Sequence, residues 1–307
     1  MNPRIVVIGS INMDLVCRTG RIPAPGETAP GEDLRTIPGG KGANQAVAAA
    51  RLGGDAATVT MIGRVGDDAF GTTLLAGLKN NGVDVEHVAV TKNCASGCAL
   101  ITVAASGENS IVVSPGANGR VTPADVERAK GVIKGASAVV MQLEIPLETV
   151  EFAIRMCRKL RVRTILDPAP VPAKGLPKAL YEVDILSPNQ SEARALAGRK
   201  GEDQALGRVL LRRGPELVVL KRGEQGALVF HGRDICGVRP FKVKAVDTTA
   251  AGDAFTAGLA VGLGEGMSIG DAVGFANAAG AICCTRFGAQ PALPTRGEVE
   301  RMLLKQR

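Results

Sequence analysis

The chain has 307 residues, with 37 basic and 30 acidic side chains and a formal charge of +7. Hydrophobic residues make up 45% and charged residues 22%, which excludes a disordered chain, and no run approaches the roughly 18 apolar residues of a membrane span. Aromatics are only 3% with no Trp, so the core must be built from Ala, Val, Leu and Ile.

In chain order, short β-branched runs at residues 4–8, 57–62, 138–143, 164–166, 183–186 and 217–220 read as buried strands. Helical patterns lie between several of them, at 42–52, 69–80, 123–134, 147–160 and 191–197, and an Ala/Gly-rich pair closes the chain at 253–263 and 269–286. This alternation predicts an α/β fold, a central, mostly parallel sheet sandwiched by helices in three layers. Two stretches break the rhythm. Residues 15–37 are punctuated by Pro and Gly, and residues 96–113 read as two short strands around Ala105-Ser106-Gly107-Glu108. They predict a small antiparallel sheet built from two insertions into one domain spanning 1–307.

Seven Cys are scattered without a C-x-x-C pair, and only two His are present, so a zinc site is not expected. Reduced thiols in a cytoplasmic protein are the expectation, and the apolar run at 5–8 is too short for a signal peptide. The densest basic run, Arg155 to Arg163, fits a solvated helix face better than a nucleic-acid patch. The stacking aromatics or docking motif of a nucleic-acid binder are absent. A modest positive excess also suits anionic small substrates.

Ligands of open α/β sheets bind beyond the carboxyl ends of the strands. There this chain places Gly9-Ser-Ile-Asn12-Met-Asp14, Gly63-Arg-Val-Gly66-Asp67-Asp68, Glu144, Asp167-Pro-Ala-Pro, Ser187-Pro-Asn189-Gln-Ser-Glu192 and Lys221-Arg-Gly223-Glu-Gln-Gly226. The carboxylates, amides and glycines suggest a polyol or nucleotide cleft, although turns have the same composition. Pro38-Gly39-Gly40-Lys41-Gly42-Ala43-Asn44-Gln45 lets backbone approach a ligand at a helix start, or is simply a hinge with Asn44 as a cap. It is not a Walker A loop, and no G-x-G-x-x-G occurs. Asp247-Thr-Thr-Ala-Ala-Gly-Asp253 runs small residues into a helix N-terminus, where bare N–H groups receive anions. Asp253 there is either an N-cap or a base for a substrate hydroxyl.

These two segments, with Gly9 to Asp14, Met141-Gln-Leu-Glu144, Ser187 to Glu192 and Gly288-Ala-Gln-Pro291, make the chain resemble the ribokinase-like carbohydrate and nucleoside kinases over essentially its full length. The resemblance is strongest to members that phosphorylate D-ribose at O5 with ATP. It implies that Asn12, Asp14, Gly40, Lys41, Asn44 and Glu144 bind the sugar and that Asp253 is the base. Ala250, Ala251 and Gly252 would form the anion hole, with the helix dipole keeping Asp253 ionised and weakly basic. Asn189, Lys221, Arg222, Gly223, Glu224, Gln225, Gly226, Gly252 and Asn277 match nucleotide contacts. Lys221 and Arg222 stand where small or neutral residues are usual, and could either strengthen phosphate contacts or face solvent.

Glu192, through water, would help organise Mg²⁺. Asp247, Thr249, Cys283, Arg286, Gly288 and Ala292 match the ligands of a K⁺ ion, mostly through backbone carbonyls, with Ala292 lacking a hydroxyl that family sites can carry. Cys283-Cys284 reads as helix packing. The insertions correspond to the family's lid, through which a homodimer is expected. Other sugar or nucleoside kinases (deoxyribose, fructose, nucleoside), and a non-catalytic sugar or nucleotide sensor, are the alternatives.

Overall fold

The computed structural model describes residues 2–305. Its central sheet has ten strands, and nine lie side by side. From one edge they run Asp234–Val238, Ala227–His231, Leu217–Lys221, Ile185–Leu186, Thr164–Leu166, Ala138–Met141, Arg4–Ile8, Thr58–Gly66 and Val83–Asp84. Val88–Thr91 pairs with the far part of Thr58–Gly66. All pairings are parallel except two at one edge, where Leu217–Lys221 with Ala227–His231 and Ala227–His231 with Asp234–Val238 are antiparallel.

The strands are apolar on both faces because both faces are covered. Ile5, Val7, Ala138, Val140 and Ile165 join one core cluster with the Lys41–Gly53, Ala251–Gly264 and Ile269–Cys283 helices. Their neighbours Val6, Ile8, Val139, Met141 and Leu166 join the other, under the Leu147–Leu160 and Gln190–Ala197 helices. With almost no aromatics, the first layer packs closely through small residues. A Cβ on Gly258 would lie 3.1 Å from the Ala276 backbone, and one on Gly262 would lie 3.1 Å from Ala272.

The chain leaves Arg4–Ile8 toward Thr58–Gly66 on one side and later returns to Ala138–Met141 on the other. That reversal opens a crevice at the carboxyl ends of adjacent strands, where Ile8 is in register with Met141 and Met141 with Leu166.

The two insertions form a separate four-stranded sheet, ordered Gly31–Gly39, Asn12–Thr19, Gly97–Ala104, Asn109–Ser114. Each insertion is an antiparallel hairpin, as expected for the second, but the seam joining them, Asn12–Thr19 with Gly97–Ala104, is parallel. The first hairpin also begins at Asn12 rather than residue 15, which puts Asn12 and Asp14 on this sheet.

Other expectations need correction. The helix expected over 123–134 divides at Ala129 into Pro123–Arg128 and Lys130–Lys134. The last long helix stops at Cys283, not 286. The carbonyl of Cys284 instead accepts the N–H groups of Val246 and Asp247, tying this turn to the loop that leads into the Ala251–Gly264 helix. Of the described residues, none forms a helix long and apolar enough to cross a membrane.

Candidate active site

Gly40 occupies φ +85°, and a Cβ there would lie 2.6 Å from the backbone nitrogen of Asn12. A side chain on Gly39 would strike the Asp14 carboxylate at 2.2 Å. The glycine pair is therefore required by close approach: it lets the N-terminus of the Lys41–Gly53 helix abut the strand carrying Asn12 and Asp14. Glu144 is held at that same helix start. Its Oε2 accepts the Ser10 hydroxyl at 2.5 Å and the Lys41 N–H at 3.1 Å. Asn12 is buried, with its Oδ1 accepting Asn118 Nδ2 at 2.7 Å, so its own amide nitrogen is left as the donor. Burial, reinforced by Glu144 and Asp253, raises the pKa of Asp14 to about 7.

Asp253 is the third residue of the Ala251–Gly264 helix, whose N-cap, Ala250, is left-handed at φ +60°. The carboxylate does not cap the helix. Its Oδ2 accepts Asn44 Nδ2 and its Oδ1 accepts Gln45 Nε2, both at 3.0 Å. Only 5% exposed, it has a pKa raised to about 6 by burial and by Asp167, against the lowering effects of Lys41 and the two amides. The expectation of a weakly basic Asp253 thus fails: desolvation outweighs the helix dipole. Of the three amides expected to form an anion hole, one is engaged within the protein. The Ala251 N–H donates to the Thr248 carbonyl at 3.2 Å, whereas the Ala250 and Gly252 N–H groups meet no protein acceptor among the described residues.

Beyond Asp253 lies a cavity of about 980 Å³ that also meets Lys41, Glu192, Lys221, Gly223–Gly226 and Asn277. Asn277 supports its wall by donating Nδ2 to the Arg239 carbonyl at 3.0 Å. Asn189 and Glu192 form a reciprocal cap at the start of Gln190–Ala197. Asn189 Oδ1 accepts the Glu192 N–H at 2.9 Å, and Glu192 accepts Asn189 N and Nδ2. Both nevertheless line the cavity, so capping and ligand contact are compatible. Neither residue at the unusual pair faces solvent. Lys221 Nζ lies 2.9 Å from Asp167 Oδ1, and Arg222 is partly buried beside Asp203 and donates to the Gln225 carbonyl.

Of the residues matched to a monovalent cation, Asp247, Thr249, Cys283 and Gly288 are hydrogen-bonded to one another. Asp247 accepts Thr249 N and Oγ1 on one oxygen and the Gly288 N–H on the other. Burial opposes ionisation of Asp247, but these bonds outweigh it and hold its pKa low. Cys283 donates its thiol to the Thr249 carbonyl, and burial pushes that thiol up to about 12, consistent with packing rather than redox chemistry. The Arg286 side chain turns away to Glu298, and Ala292 lies in the short turn Gln290–Ala292. Among the described residues, no group of three His, Cys, Asp or Glu side chains is poised to hold a metal.

Sequence reasoning left three residues without a role: Gln45, Gln142 and Asp167, all nearly inaccessible and all bonded into the site. Asp167 was visible as the residue after a buried strand. The two glutamines lay within quoted motifs, Gln45 ending one and Gln142 inside another, but nothing in either motif pointed to a role for them.

The pfkB family carbohydrate kinase profile matches residues 2–296. Ribokinase from Bacillus subtilis is 43% identical over 300 residues, covering 97% of this chain and 99% of the relative. Among solved structures, ribokinase from Thermotoga maritima superposes with a TM-score of 0.90 at 34% identity, covering 98% of this chain and 99% of the other. Arabidopsis thaliana ribokinase complexed with ribose and ATP does so with 0.88 at 32%, covering 99% of both.

Proposed function

The chain belongs to the pfkB family of carbohydrate kinases, and from that premise we propose that it transfers the γ-phosphoryl group of ATP to O5 of D-ribose, giving D-ribose 5-phosphate and ADP. The observation that carries this reading is the position of Asp253. Its carboxylate touches Asn44 on the side of Asn12, Asp14 and Glu144, and it also lines the large cavity beside the free amides of Ala250 and Gly252. Full-length similarity to ribokinases, one of them complexed with ribose and ATP, supports the substrate pair.

In this reading Asp14, Glu144 and Asn12 bind vicinal hydroxyls that aliphatic side chains would leave unpaired. Asp253 accepts the O5 proton, O5 bonds to the γ-phosphorus, and the bond from that phosphorus to the β–γ bridging oxygen breaks, releasing ADP. With a pKa of about 6, Asp253 is largely ionised at neutral pH yet a better proton acceptor than an ordinary carboxylate. The Ala250 and Gly252 N–H groups receive the charge on the transferring group.

Mg²⁺ and K⁺ belong to the same proposal. Each Glu192 oxygen accepts one bond from Asn189 and keeps a further lone pair, a hard-oxygen setting that suits a divalent ion retaining most of its water. Bound Mg²⁺ would neutralise phosphate charge. The Asp247 carboxylate and the Thr249 carbonyl are oxygens of the kind a monovalent cation takes, although Ala292 offers only its carbonyl. We expect faster turnover in K⁺ than in Na⁺; equal rates in K⁺, Na⁺ and organic-cation buffers would remove K⁺ from the reading. The small sheet acts as a lid that excludes water, and its exposed Leu100, Ile111, Val112 and Val113 support pairing with a second copy.

Phosphorylation of a panel of ribose, deoxyribose, fructose and nucleosides with ATP and Mg²⁺ tests the substrate. Ribose should have the highest kcat/KM. A clear preference for another acceptor would replace ribose while leaving the kinase chemistry in place.

A further inference from the structure

Gln45 makes three hydrogen bonds with no access to solvent. Its Nε2 donates to Asp253 Oδ1 at 3.0 Å and to Asp167 Oδ2 at 3.1 Å, and its Oε1 accepts Gln142 Nε2 at 2.5 Å. Two ionised carboxylates can share one amide only if its nitrogen faces both, so its oxygen must face Gln142. Gln142 accordingly presents its own nitrogen and leaves its Oε1 buried without a partner, in space available only because Gly9 has no Cβ. A buried orphan acceptor is unfavourable, and here the orientation of Gln45 imposes it.

The outer carboxylate is equally constrained. Asp167 is 2% exposed, and its other oxygen is paired with Lys221 Nζ at 2.9 Å. That ammonium stands at the anion hole, 3.8 Å from where a Cβ of Gly252 would lie.

We propose that Gln45 is a positioning residue for Asp253, oriented by Gln142 on one side and by the Asp167–Lys221 pair on the other. This inference rests on the kinase reading and deepens it by giving Lys221 a role through Asp167 rather than only through phosphate. Without Lys221, Asp167 would be an unneutralised carboxylate one amide away from the base. Repulsion would then disturb the bridge that fixes Asp253. The other titratable groups facing Asp253 are Lys41, Asp14 and Cys283, with Glu144 and Glu192 beyond them facing Lys41, and none of them touches the Gln45 amide.

The test compares kcat and KM for ribose and ATP in the full chain and in variants, with thermal unfolding as the folding control. Lys221→Met should lower kcat by roughly tenfold or more, since small misplacements of a reacting group can cost about 10²-fold. KM for ATP should change far less, and Lys221→Met/Asp167→Asn, which restores charge balance and keeps an acceptor for Gln45, should recover most of the lost kcat. A raised KM for ATP with kcat intact, or a double variant as slow as the single, would overturn the proposal in favour of a direct phosphate contact. Should Lys221→Met not fold, Gln142→Met decides the matter because it leaves every charge in place. It should lower kcat several-fold at unchanged KM, and wild-type kcat there would refute the proposed orientation of Gln45. Absence of ribose phosphorylation by the unmodified chain would instead count against the kinase reading itself.

Discussion

Replacing Asp253 by Asn lowers turnover by roughly 10²–10⁴-fold, the usual consequence of losing a general base, while ribose still binds. Asn has the same shape, and its carbonyl oxygen can still accept one of the two bonds now made by Asn44 and Gln45. Its nitrogen then faces a donor, so a modest local mismatch is expected rather than unfolding. The sugar keeps Asn12, Asp14 and Glu144, which Asp253 does not hold in place. Single-turnover phosphorylation together with ribose calorimetry separates the two effects. Near-normal turnover would refute the assignment of Asp253 as the base.

Lys41→Met should reduce both stability and activity, with opposite pH trends. Burial lowers the pKa of Lys41, but Asp253, Asp167, Glu144 and Glu192 outweigh it and raise the pKa above the usual lysine value. Removing this cation leaves the neighbouring carboxylates less well neutralised, so the thermal midpoint near neutral pH should fall. Without the cation, the pKa of Asp253 rises above its present value of about 6. The base works when ionised, so the acid limb of kcat/KM, near pH 6 in the unmodified chain, moves to higher pH, and part of the lost activity returns on raising the pH. Stability moves the other way. A carboxyl whose folded pKa lies above its ordinary value of 3.8 stabilises the fold at low pH, and that contribution is lost as pH rises through the folded value. Thermal midpoints should therefore favour acid more strongly in the variant than in the parent. Parallel pH trends in rate and midpoint would contradict the electrostatic role given to Lys41.

The parallel sheet was legible because its strands, buried on both faces, read as uninterrupted runs such as Ala138–Met141. The edge hairpin Ala227–His231 with Asp234–Val238 was missed. Its second strand is largely exposed and carries Asp, Cys and Gly rather than a clear alternation. The helices Asp203–Leu211 and Arg296–Leu304 were also missed: both are short, and their boundaries carry little beyond ordinary polar residues. At the site, the glycine pair and the small residues before Asp253 were visible because close backbone approach restricts residue type. The basicity of Asp253 was misread because the helix start is a local feature, whereas burial and the nearby Asp167 depend on segments far away in sequence. For the same reason, nothing local distinguished Gln45 or Gln142.

The seam of the small sheet has one mechanical consequence. Eight consecutive pairings from Asn12–Gly97 to Thr19–Ala104 bind the two hairpins into a single plate, and Asn12 and Asp14 are built into it. Asp253 and Glu144 belong instead to the main body. Any tilt of the plate therefore shifts two of the proposed polyol holders relative to the proposed base, and on that reading docking of the plate and alignment of the acceptor oxygen are one event.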